Sequence, residues 1–103
     1  MASAAKGLLS EDTDVPSPEE VQRLSLAYRG DLMVLIPAVQ RAVVRLPKGA
    51  ASGVRALAGV GEARARLDYA PSSALPAQIA HAQRLARAVL CLIRHLDHLA
   101  AEQ

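Results

Sequence analysis

Residues 17–46 read SPEEVQRLSLAYRGDLMVLIPAVQRAVVRL. Within them Val21, Leu24, Tyr28, Leu32, Leu35, Val39, Val43 and Leu46 recur at steps of three and four, which places them on one stripe of an α-helix. Ser17 is suited to cap such a helix, Pro18 sits where a missing N–H costs nothing, and Glu20 completes a capping box. Glu19 and Glu20 also face the positive end of the helix dipole. A second row, Leu26, Met33, Pro37 and Val44, lies roughly opposite the first. Either this helix has neighbours on two sides, or a bend at Pro37 rotates its phase and the two rows are partly one face. Proline inside a helix costs ~3 kcal/mol or more unless packing compensates. A kink near residues 31–36 is therefore expected, as one bent helix in preference to two.

Outward from this stretch, Pro47, Lys48 and Gly49 end the helix, with glycine free to take a left-handed turn. A second helix is expected over residues 50–68. Its larger apolar residues, Val54, Leu57, Val60 and Leu67, stand among many small ones. Gly53, Gly59 and Gly61 each weaken it by roughly 1 kcal/mol relative to alanine, which is tolerable where another helix passes close by. Arg55, Arg64 and Arg66 are expected to point outward. The turn YAPSS (69–73) leads to a third helix over residues 76–101, where Ala82, Leu85, Val89, Leu92, Leu96 and Leu99 repeat at 3-4-3-4-3, the seam of a bundle. Ile79, Ala86 and Ile93 widen that seam, and Leu90 lies nearer its edge.

No strand pattern and no internal repeat is present. The expected fold is all-α: an antiparallel three-helix bundle with a long, Pro-kinked first helix, completed by dimerisation. The surplus apolar residues Leu26, Met33, Val44 and Leu90 are the candidate interface. This domain occupies residues 17–103, behind an acidic leader of residues 1–16 that has no helical or strand period and is expected to be disordered.

Of the 103 residues, 51% are apolar, yet Phe and Trp are absent, so the core is made of Leu, Val, Ile and Ala. Small side chains favour close helix packing over a wide cavity, and no cofactor is expected. Residues 1–20 hold five acids against one base, a balance of −4, while the remainder hold eleven bases against five acids, +6. Ten of the twelve bases are arginine, through genomic composition or for a surface that meets an acidic partner. The single Cys91 excludes an internal disulfide and fits a reducing compartment. The leader lacks the apolar core of a signal peptide, and the longest apolar run, residues 32–39, falls far short of the ~20 residues of a membrane span. A soluble, cytoplasmic protein without membrane contact is expected.

Cys91, His95 and His98 stand at i, i+4 and i+7 and share a stripe that could offer thiolate and imidazole to a metal. No fourth ligand accompanies them, His81 is nearly three turns away, and side chains at a surface or interface are the expected reading. No catalytic constellation is visible: Glu62 and Asp68 are not spaced as a carboxylate pair, and no Ser, His and Asp set stands out. Residues 59–64, GVGEAR, begin like a dinucleotide fingerprint, but Arg64 replaces the last glycine and no strand precedes it. Arg84, Arg87 and Arg94 cluster on the outer side of the third helix. They are the candidate anion or nucleic-acid face, although only Tyr28 and Tyr69 could stack on bases. A homodimer, or a complex with another protein, is preferred to nucleic-acid binding, and a ligand-binding or catalytic subunit of a biosynthetic pathway ranks below both.

The runs LIPAVQRAVVRLP (35–47), GEARARLD (61–68) and LPAQIAHAQRLARAV (75–89) together resemble a family of short actinobacterial proteins carrying a domain of unknown function, sometimes labelled "natural product biosynthesis protein". The likeness spans roughly residues 19–99. It implies a link to secondary metabolism in an actinobacterial cytoplasm and supplies no catalytic residue.

Overall fold

The computed structural model describes residues 15–102. The expectation of a disordered leader falls on residues 1–16, of which 1–14 lie outside the described residues. Three helices follow in order: α1, Pro18–Val44; α2, Ala51–Asp68; and α3, Leu75–Ala101. Ser17 caps α1, its Oγ accepting from the Glu20 N–H at 3.2 Å. The other two helices start at Ala50 and Ala74, which offer no side-chain cap, and Pro76 lies in the first turn of α3. Their ends are closed by backbone turns, including Ala50 N–H to the Pro47 carbonyl and Tyr69 N–H to the Ala65 carbonyl. Gly49 takes φ +82°, the left-handed geometry that glycine adopts without steric cost, and it redirects the chain from α1 into α2.

α1 runs unbroken through Pro37. The proline ring removes the N–H that would bond the Met33 carbonyl, and the helix holds because both its neighbours pack along it. Val21, Tyr28, Leu32, Leu35, Ile36 and Val39 are buried; of the stripe expected from the sequence, Leu24, Val43 and Leu46 are only half-buried against the core, and Ile36 is added. The burial of Leu35 and Ile36 side by side shows that the inner face of α1 is broad here, touching both other helices. Helical geometry ends at Val44, and Arg45 and Leu46 continue as a turn bonded back to Ala42 and Val43.

The helices run up, down and up. The α1–α2 turn sets Gly53 against Val43 and Leu46, while the far end of α2 returns to α1 where Arg29 Nη2 donates to the Leu67 carbonyl at 2.8 Å. α3 is antiparallel to α2, so the Ser52 hydroxyl at the start of α2 donates to Glu102 Oε2 at 2.6 Å, just past the end of α3. The body measures 45 × 25 × 18 Å.

α2 turns its small residues inward. Val54 and Leu57 are exposed, and the core face consists of Ser52, Gly53, Ala56, Val60 and Ala63. Small residues face inward because α2 lies close to α3, whose own buried residues include Ala82 and Ala86; larger side chains on both helices would force their axes apart. Of the three glycines, Gly59 lies under the His95 ring and Leu92, Gly53 lies under Val43, and Gly61 faces open space. The expectation of close packing thus fails at Gly61. Arg55 and Arg64 point outward as expected, whereas Arg66 is half-buried.

Candidate functional site

Two features outside the core stand out, and each follows from the register of α1. The first is its outer stripe. Leu26, Met33 and Val44 are 64%, 68% and 83% exposed, and Val34 is exposed beside them. Pro37 is half-buried and Gly30 is exposed on the same side, and nothing approaches within 4 Å of where a Gly30 Cβ would lie. The stripe therefore presents aliphatic groups over some 18 residues, ~27 Å of helix, with Arg23 and Arg41 alongside. Leu90, the fourth candidate interface residue, sits elsewhere: it is half-buried on α3 and packs against the core, so it does not extend this surface.

The second feature is a cleft of about 370 Å³ between the first turns of α1 and α3 and the α2–α3 linker. Gln22, Ser25, Leu26 and Arg29 line it from α1, Gln78 and His81 from α3, and Leu67 to Pro71 close the remaining side. His81 is only 4% exposed, yet neither ring nitrogen has a hydrogen-bond partner, and the Ser25 hydroxyl is likewise buried without one. A buried polar group left unpaired costs about 1–3 kcal/mol, and two of them meeting in one cleft is uncommon. Tyr69 stands against the imidazole with ring centroids 5.5 Å apart and planes at 47°. Burial holds the His81 pKa below the usual imidazole range, and the positive charges of Arg29, Arg84 and Arg66 act in the same direction. The linker is pinned where Gln78 Nε2 donates to the Ser72 carbonyl at 2.7 Å.

The sequence showed His81 only as a remote companion to Cys91. Its signal was its place four residues before Leu85, on a buried flank of α3. Among the described residues, no group of three or more His, Cys, Asp or Glu side chains is placed to hold a metal ion. Cys91 and His98 are exposed and His95 is half-buried, its ring lying over Gly59. These residues line a shallow groove with Ser52, Arg55 and Arg94. Arg84 and Arg87 belong to the adjoining groove with Glu62 and Arg66, so the three arginines form an exposed row along α3 that spans two grooves instead of converging. Tyr28 is fully buried, and burial together with Asp31 raises its phenol pKa against the opposing pull of Arg23. It is a core residue, unavailable for stacking on a base. No helix among the described residues is long and apolar enough to cross a membrane.

The family model described as "Family of unknown function (DUF6415)" matches residues 1–101. Comparison with curated proteins and with solved structures finds no significant match.

Proposed function

From a chain that belongs to the family of unknown function DUF6415, we infer a small helical interaction protein, without catalytic activity of its own, that self-associates through the outer stripe of α1. The observation that carries this reading is the exposure of Leu26, Met33 and Val44 on one line, opposite a face that is already fully used in the bundle. The spacing of the stripe also suits a twofold contact. If two copies of α1 cross antiparallel with the axis at the level of residue 35, Leu26 meets Val44 of the other copy and Met33 meets Pro37. The open side of Gly30 allows close approach. Such an isologous arrangement closes as a dimer. Full burial of an aliphatic side chain of this size contributes about 1.5–3 kcal/mol; four from each copy can exceed the lower part of the 4–15 kcal/mol association cost.

The likeness to proteins labelled "natural product biosynthesis protein" supports placing this role beside secondary metabolism in an actinobacterial cytoplasm, as an accessory protein whose assembled surface docks another protein. The competing reading is a nucleic-acid-binding regulator, supported by the exposed Arg84, Arg87 and Arg94. Light scattering after size exclusion at low and high salt separates the two. A dimer that persists in high salt and becomes a monomer in Met33→Glu supports association through the stripe. An unchanged mass in both Leu26→Glu and Met33→Glu eliminates it. Binding to DNA or RNA that weakens steeply with salt supports the regulator.

A further inference from the structure

We propose that the cleft between the starts of α1 and α3 is a binding site for a carboxylate group, held by Arg29, Ser25 and His81 beneath Tyr69. The proposal does not rest on the association described above, although Leu26 lies in both surfaces. Three observations converge on it. His81 is almost completely buried and both its nitrogens lack partners, as does the Ser25 hydroxyl, so two residues from different helices that line one cleft each hold an unpaired polar atom shielded from solvent. Arg29 reaches the same cleft, and only one of its donors has a protein partner there, the Leu67 carbonyl. The remaining lining is uncharged apart from Asp68. A ligand with one negative charge and two acceptor oxygens answers these groups: guanidinium and carboxylate pair in parallel fashion, and the hydroxyl and imidazole donate to the remaining lone pairs. Asp68 on the rim opposes a doubly charged phosphate more strongly than a carboxylate.

Tyr69 stands on the path to the imidazole: its ring lies against the His81 ring, it is itself exposed, and it belongs to the short linker between α2 and α3, so binding at His81 requires this side chain to turn aside. The groups facing His81 are Arg29 from α1, Arg66 from α2, Asp68 and Tyr69 from the end of α2 and the linker, and Arg84 on its own helix. A carboxylate placed among them stabilises the imidazolium and raises the His81 pKa. It has two possible sources: a free small carboxylate, or Glu11, Asp12 or Asp14 of the same chain, which precede Ser17 by three to six residues. Six residues of chain span at most ~20 Å, against ~18 Å along α1 from Ser17 to Arg29.

The test is the NMR titration of the His81 imidazole in the full chain. Sodium acetate is added against sodium chloride at matched ionic strength, with wild type and E11Q/D12N/D14N compared and the exposed His98 as control. A saturable upward shift of the His81 pKa with acetate, abolished in Arg29→Gln and retained in Arg29→Lys, supports a site for free carboxylates. A lower His81 pKa in E11Q/D12N/D14N than in wild type, restored by acetate, supports occupation by the chain's own acids. If acetate acts no differently from chloride in either protein and the two proteins titrate alike, the cleft holds only water and the proposal is overturned. Ser25→Ala serves as the second variant should Arg29→Gln fold poorly; it removes one donor and leaves the Arg29–Leu67 bond in place, so acetate shifting its His81 pKa as fully as in wild type would remove Ser25 from the site.

Discussion

At the scale of single residues, His81 is buried with neither ring nitrogen paired. Its pKa is lowered in the fold by burial and by Arg29, Arg84 and Arg66, whereas the unfolded chain takes up a proton in the ordinary histidine range near ~6.5. The unfolded state therefore binds more protons as pH falls. Stability is complete above that range and is lost as pH drops toward the depressed folded-state value. Urea midpoints measured between about pH 7 and pH 5, in carboxylate-free buffer and in the E11Q/D12N/D14N background, which together remove both proposed carboxylate sources, are expected to decline with acid. The same measurement in His81→Leu should show a shallower decline. A slope unchanged by His81→Leu would assign the acid sensitivity to other groups. Ser52 provides a second residue-scale test. Its bond to Glu102 joins the start of α2 to the end of α3, and Ser52→Ala should cost about 1 kcal/mol, the partner carboxylate being exposed and screened. Amide exchange should rise over the last turn of α3.

The three helices differ in how much of their role could be seen in advance. α1 and α3 have aliphatic residues of similar size at the spacing of the core, so their buried faces were legible: Val21, Tyr28, Leu32 and Val39 on one, Leu85, Val89, Leu92 and Leu99 on the other. The phase of α2 was not legible, because hydrophobicity alone does not say whether its larger or its smaller apolar residues face inward. Close approach buries Ala56 and Ala63 and leaves Val54 and Leu57 exposed. The cleft was not legible at all. It is assembled from Ser25, Arg29, Tyr69 and His81, which are distant in sequence and carry no shared motif; only the turn between α2 and α3 brings them together. The glycines of α2 give a paired prediction at this scale. Gly61→Ala meets nothing and should stabilise the protein by about 0.5–1 kcal/mol through helix propensity. Gly59→Ala gains the same propensity, but its methyl would lie 3.0 Å from the His95 ring, so the histidine must turn away and the net gain should be smaller. Urea denaturation of the two variants should order them Gly61→Ala above Gly59→Ala.

For the whole molecule, the bundle leaves an apolar stripe on one side of α1 and a row of arginines along α3. The two surfaces respond to ionic strength in opposite directions. Arg23 and Arg41 flank the stripe, so like charges oppose one another when two copies meet, and added salt screens that repulsion. The dissociation constant of the proposed dimer, followed by sedimentation or light scattering, is therefore expected to fall or stay level as salt is raised. A constant that rises steeply with salt would point to ion pairing across the interface in place of apolar burial.

Leu26 belongs to both the outer stripe and the lining of the cleft. It is thus shared by the proposed association surface and the proposed carboxylate site, and a subunit contact that covered it would also narrow the mouth leading to Ser25 and Arg29. If association restricts that mouth, then by thermodynamic reciprocity an occupied cleft weakens association to the same degree. A carboxylate would then act as a dissociating effector without touching Met33 or Val44, and the oligomeric state would report the supply of that small acid.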